Sequence, residues 1–213
     1  ESSCEDLLLT YKLKNHGWVT RFHLAPLAVG KAADTLGSFI KQRVRWCTGT
    51  LQCLFLKDGP FRSRGLSLLD RVFYFDTMAY YLSSIWFFFV LIAPAIYWWS
   101  GRVPFESDNG HILMMFAPRV LASILALYWL TGRKVIPVVS EIGRYVGIFH
   151  TLGAIAVTLV NPRGRVFNVT DKNLSRDRVT FNWRVAAPHL VLLAITLAGI
   201  AKTIFFGTTS ADG

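Results

Sequence analysis

The sequence predicts a mainly helical membrane protein: the C-terminal piece of an α/β domain, then about three transmembrane helices with interfacial helices. Three observations predict it. Only 17% of the 213 residues are charged and 53% are hydrophobic, against about 25% charged in a typical soluble domain. Apolar runs long enough to cross a bilayer recur along the second two thirds of the chain. Lys and Arg outnumber Asp and Glu by 23 to 13, a net charge of +10, and such an excess suits an anionic membrane face, a phosphate-bearing substrate or nucleic acid. The composition excludes disorder. Three cysteines, Cys4, Cys47 and Cys53, are too few and scattered for a disulfide scaffold and read as reduced thiols of a cytoplasm-facing chain.

The first element is a short helix opened by Glu5-Asp6-Leu7-Leu8-Leu9 and stopped near Asn15 and Gly17. Trp18 to Leu24 alternates large apolar and mixed residues and predicts a strand. Asp34 or Thr35 caps a long helix running to about Lys57, closed by Gly59-Pro60. Helix, strand, helix is the expected tail of an α/β domain. The chain starts at Glu1 with no charged-then-apolar leader, so it is expected to be an internal or C-terminal piece of a longer polypeptide.

Met78 to Trp99 holds no charge over 22 positions, enough for a helix to cross a core of about 30 Å. Ile112 to Thr131 is a second span, interrupted by Arg119, which either faces a pore or reaches the outer interface. Val185 to Phe206 is a third, with Lys202 placed to snorkel near its far end. Ile148 to Val160 is too short to span and is expected on the membrane surface or against protein.

Charge sets the orientation. Lys41 to Asp76 carries seven basic against three acidic residues, Arg133 to Arg178 eight against three, whereas the loop Gly101 to Gly110 holds Arg102 against Glu106 and Asp108. The positive-inside rule makes the two basic regions cytoplasmic and sets Trp98 and Trp99 at the outer interface. The expected organisation is a domain piece over 1–60, an interfacial helix over 61–77, a transmembrane hairpin over 78–131, a cytoplasmic interfacial helix and loop over 132–183, and a last transmembrane helix over 184–207. Sequons at Asn168 and Asn173 fall on the inner side, so glycosylation is not expected.

The long helix carries the first chemical signal. Ile40, Val44, Cys47, Leu51 and Leu54 form one apolar stripe, while Gln42, Arg45, Trp46 and Gly49 lie opposite, with Arg43 on the flank. Arginine forks suit phosphate oxygens, and an indole suits the apolar face of a sugar or base. A Trp covering a groove beside surface arginines is the plainer reading. Glu5 and Asp6, at a helix start, either complement the helix dipole or supply a general base at a cleft; spacing leaves both open. Tyr80, Tyr81, Ser83, Ser84 and Trp86 form a polar-aromatic start to the first span, fit either to line a sugar channel or to meet lipid as an aromatic belt.

Cys4-Glu5-Asp6 followed by Gln42-Arg43-Val44-Arg45-Trp46 resembles the Thr-Glu-Asp and Gln-x-x-Arg-Trp pair of processive family-2 glycosyltransferases. Phe167-Asn168-Val169-Thr170-Asp171-Lys172 resembles the Phe-x-Val-Thr-x-Lys gating loop of bacterial cellulose synthases, and the likeness runs from residue 1 to about Phe206. The resemblance implies that residues 1–60 end a GT-A-type glycosyltransferase domain. It makes Asp6 the general base on the acceptor 4-hydroxyl, supported by Glu5, and stacks Trp46 on the terminal glucose. It places Gln42, Arg43 and Arg45 along the acceptor and the diphosphate of UDP-glucose, and Phe167, Val169, Thr170 and Lys172 on the loop closing over the nucleotide. Tyr80 and Tyr81 then start a channel for the nascent glucan.

The same resemblance implies Mg2+ held mainly by residues that this chain lacks, with no metal ligand of its own. It further implies a bacterial inner membrane location with the catalytic side cytoplasmic, contact with membrane lipid, a periplasmic partner subunit, and no nucleic acid. Cys4 departs from the usual Thr, one span rather than two follows the loop, and the upstream carboxylates and the PilZ domain are absent, so the segment by itself is not expected to turn over. Chitin and hyaluronan synthases share the Gln-x-x-Arg-Trp motif, so another β-glycan synthase (β-1,3-glucan, chitin or hyaluronan) is the alternative within this class, and a non-catalytic channel or transporter subunit is the alternative of another class.

Overall fold

The computed structural model describes residues 4–21, 23, 25, 27–30, 32–102, 109–134, 137–163 and 181–207. Its helices are α1 (Glu5–Asn15), α2 (Leu36–Gln52), α3 (Leu68–Ser100), α4 (Asn109–Leu130), α5 (Pro137–Val146), α6 (Ile148–Val160) and α7 (Trp183–Phe206). Two compact units emerge, Glu1–Trp86 with Gly147–Trp183, and Phe87–Val146 with Arg184–Gly213.

In the first unit, α1 has Glu5 and Asp6 in its first turn and Lys12 and Lys14 in its last, the arrangement that complements the helix dipole at both ends. It stops at Asn15, two residues before Gly17 takes the left-handed φ of 81°. In α2, Thr35 is the cap that forms: its hydroxyl accepts from Ser38 N at 3.1 Å. This helix ends at Gln52, short of the expected Lys57, and passes into a 3₁₀ turn at Cys53–Phe55. The chain then folds so tightly that a Cβ on Gly59 would lie 1.9 Å from the Cys53 carbonyl oxygen, an approach open only to glycine.

The strand expected over Trp18 to Leu24 does not form among the described residues of that stretch. Trp18 and Val19 are 67% and 74% exposed. Alternation makes a strand only where a second strand takes up its backbone groups, and the described residues contain none. They therefore do not display the expected α/β layer.

One core joins the helices of this unit. Leu8 and Tyr11 of α1 meet Cys47 and Leu51 of α2, Leu66 and Met78 at and within α3, and Ala154 and Ile155 of α6. The Ile148 to Val160 run thus packs against protein, lying along α2. Its far end is held by Gln52, which donates through Nε2 to the Pro162 carbonyl at 2.9 Å. α3 begins ten residues ahead of the apolar run because Ser67 and Asp70 cap it reciprocally: Ser67 N donates to the Asp70 carboxylate at 3.1 Å, and Asp70 N to the Ser67 hydroxyl at 3.2 Å.

In the second unit, the end of α3 is tied to α7. Trp99 Nε1 donates to Ile195 O at 2.9 Å, and Thr203 Oγ1 to Trp98 O at 3.3 Å. Lys202 donates to the Trp99 carbonyl at 3.3 Å and lies 5.4 Å from its ring. A cation satisfying the last carbonyls of a helix meets the orphan acceptors there. Arg119 is exposed.

Among the described residues three helices are long and apolar enough to cross a membrane, Leu68–Ser100, Leu113–Leu130 and Trp183–Phe206. No more than 11% of the residues in the most apolar stretch of any of them are buried. Bare apolar surface of that extent calls for lipid, as expected of a multi-pass membrane protein.

Candidate active site

The site begins where the first turn of α1 meets the middle of α2. Cys4, just ahead of α1, is buried, and its thiol donates to Trp46 O across 3.6 Å and lies 4.0 Å from Thr50 Oγ1. Two positions along the chain, Asp6 is exposed, and its Oδ1 accepts from Leu7 N at 2.8 Å. Burial pushes the Cys4 thiol above its ordinary value. The Asp6 and Glu5 carboxylates push it the same way, while the Thr50 hydroxyl and the Arg45 guanidinium oppose them.

On α2 the spacing i, i+3, i+4, i+7 stacks side chains on one face. Phe39, Arg43 and Trp46 use it: the Arg43 guanidinium lies 5.0 Å from the Phe39 ring centroid and 5.3 Å from that of Trp46. A guanidinium against two rings immobilises the indole and remains charged. Gln42, Arg43, Arg45 and Trp46 are all half-buried, neither core nor free surface. Gly49, expected on the open face, is buried, as is every residue from Cys47 to Cys53. The wheel drawn for one covered face fails in this last part of α2, where burial runs all round the helix.

Tyr81 of α3 packs against the core that holds Cys47 and Leu51 of α2. Tyr80, its neighbour at 5.1 Å between ring centroids, is exposed. The structure thus brings Glu5, Asp6, Arg43, Arg45, Trp46 and Tyr81 to one region of the first unit. Phe167, Val169, Thr170 and Lys172, and both sequons, lie outside the described residues. Phe39 and Thr50 were missed in the sequence, although a Phe four residues before an Arg on a helix is a readable stacking signal. Among the described residues no three of His, Cys, Asp and Glu converge to hold a metal ion, so they do not fit one.

The family model of cellulose synthase matches residues 1–135. The chain belongs to the cellulose synthase family. It is 32% identical over 200 residues to the cellulose synthase catalytic subunit [UDP-forming] of Pseudomonas fluorescens, covering 94% of this chain and 27% of that protein. It is 30% identical over 204 residues to cellulose synthase 2 of Novacetimonas hansenii, covering 96% of this chain and 13% of that protein. It is 25% identical over 205 residues to the catalytic subunit of Komagataeibacter sucrofermentans, covering 96% and 27%. The chain thus spans about a quarter or less of the length of these cellulose synthases. No solved structure matches it.

Proposed function

We propose that this segment forms the acceptor side of a processive inverting glucosyltransferase that extends a β-1,4-glucan from UDP-glucose and exports it across a bacterial inner membrane, with the catalytic side cytoplasmic. The observation that carries this reading is the Cys4–Trp46 contact, which sets the carboxylate-bearing turn of α1 beside the indole-bearing turn of α2. Trp46 stacks on the terminal glucose. Its 4-hydroxyl oxygen attacks C1 of the donor glucose as the C1–O bond to UDP breaks, with inversion at C1. Asp6 takes the hydroxyl proton, with Glu5 beside it, and UDP leaves as an anion. One base and a stabilised leaving group suffice for a single displacement.

Arg43, Arg45 and Gln42 face the charge that develops on the diphosphate and hold the acceptor. Mg2+ belongs to this reading as a companion of the donor diphosphate, bound by groups outside the described residues, and no step here runs through it. Phe167, Val169, Thr170 and Lys172 close over the nucleotide, and the product leaves past Tyr81 and Tyr80 towards a periplasmic partner subunit.

The test is a full-length cellulose synthase carrying this segment, assayed for glucan made from UDP-glucose. Asp6→Asn is expected to lower synthesis at least ~100-fold, the lower range for loss of a general base, and Trp46→Ala to lower it by removing the surface on which the acceptor stacks. Normal yield from either would favour a non-catalytic channel subunit. Phe167→Ala is expected to lower synthesis and leave membrane insertion unchanged.

A further inference from the structure

Resting on that reading, we infer that a latch at the far end of α1 holds the carboxylate-bearing helix in register with the first spanning helix, and that Asn15 is its positioning residue. Asn15 ends α1, and its Oδ1 accepts from both Ser63 Oγ and Gly65 N, the latter at 3.0 Å. On the other side of that loop, Arg71 of α3 donates from its two terminal nitrogens to Pro60 O and, at 2.5 Å, to Ser63 O. Lys14 pairs with Asp70, the carboxylate that also caps α3, and Tyr11 sets its ring edge-on to Tyr74 with centroids 4.4 Å apart.

The loop between Gly59 and Ser67 is therefore stitched to α1 by Asn15 and to α3 by Arg71. The fit is close: a Cβ on Gly65 would lie 2.6 Å from Asn15 Cα and 2.8 Å from Lys14 O. Ser63, which serves both helices, is buried.

The lever explains why this end matters for chemistry at the other. Asp6 and Asn15 are nine residues apart, about 14 Å along a helix. A tilt of about 10° at Asn15 therefore moves the carboxylate by roughly 2 Å, and a displacement of about 1 Å costs on the order of 100-fold in a well-aligned reaction. At the Asp6 end the thiol bond of Cys4 is long and weak, so it opposes such a tilt poorly. Neither Asn15 nor its partners touch the sugar in this arrangement; they act through α1.

The experiment uses a full-length cellulose synthase carrying this segment, with rates expressed per folded enzyme. Asn15→Leu removes both acceptances and is expected to lower kcat for glucan synthesis at least tenfold with KM for UDP-glucose within twofold. Asn15→Asp keeps an oxygen for both donors and is expected to stay within twofold of the parent in kcat. Parental kcat in Asn15→Leu, or equal loss in both variants, overturns the latch. Should Asn15→Leu fail to accumulate, Ser63→Ala removes one donor: reduced kcat at constant KM supports the latch, and parental kcat overturns it. Asp6→Asn in the same assay separates the two readings, because its retained activity would remove the base assignment whatever Asn15 does.

Discussion

The Cys4 thiol reaches the backbone carbonyl of Trp46, 42 positions along the chain, across 3.6 Å. That contact marks where the first turn of α1 meets α2. It also gives the thiol a buried, proton-retaining environment, with two carboxylates close enough to raise its value further. Alkylation needs the thiolate. Cys4 is therefore expected to react with iodoacetamide more slowly than a free thiol at pH 8, with the rate still rising above the ordinary thiol value of about 8.5. Peptide mass spectrometry after timed labelling checks this. Reaction as fast as a free thiol would contradict the burial.

The same shift has a sign for stability. The folded state keeps the Cys4 proton to higher pH than the unfolded state, so the contribution is complete below the ordinary thiol range and is lost as pH rises through the raised folded value. Cys4→Thr, which restores a hydroxyl donor without that alkaline titration, is expected to flatten the decline in thermal stability above pH 9. An unchanged decline would assign it to other groups.

Much of this was legible in the sequence, for reasons that differ by element. The cap at Thr35 and the stop near Asn15 are local hydrogen-bond chemistry, complete within a few residues, and both are present. The long apolar helices follow from composition alone. The strand at Trp18 failed because alternation says nothing about a partner strand. The face of α2 was half right: Arg43 and Trp46 stay outside the buried stripe though half-covered, but Gly49 is buried by tertiary packing that no helical wheel contains. The Asn15 and Arg71 contacts cross 50 and 8 positions to a loop without a motif, and nothing in the one-dimensional pattern points to them.

Core and cap differ in what they cost to remove. Leu51 is fully buried in the cluster that joins α1, α2, α3 and α6. Leu51→Ala is expected to destabilise by about 2–5 kcal/mol. Thr35→Ala, which deletes the cap bond from Ser38 N and the hydroxyl bond to Ser38 Oγ, should cost about 1 kcal/mol. Thermal denaturation in detergent measures both, and a larger loss for the cap than for the core would reverse the assignment of where this unit draws its stability.

At the α3–α7 contact, a Cβ on Gly199 would lie 2.9 Å from Trp98 Cβ and 3.0 Å from the Trp99 ring. Gly199→Ala must therefore push α7 away from the two indoles, lengthening the Trp99 bond to Ile195. Overpacking of this kind costs about 1–3 kcal/mol. A lowered melting midpoint in detergent is expected, and an unchanged midpoint would mean that the contact is loose enough to yield.

Arg43 separates two ways in which a cation can serve the proposed reaction. Its guanidinium lies against Phe39 and Trp46, so it can hold the indole that stacks on the acceptor, or it can leave the rings for the diphosphate. Lysine keeps the charge but loses the planar face that stacks on rings. If holding Trp46 is the main role, Arg43→Lys lowers kcat several-fold and leaves KM for UDP-glucose unchanged, because the donor site is intact. If diphosphate contact dominates, the same variant raises KM for UDP-glucose, and Arg43→Ala raises it further. The two rings already within 5.3 Å of the guanidinium favour the first outcome, which steady-state kinetics on a full-length cellulose synthase carrying this segment would distinguish directly.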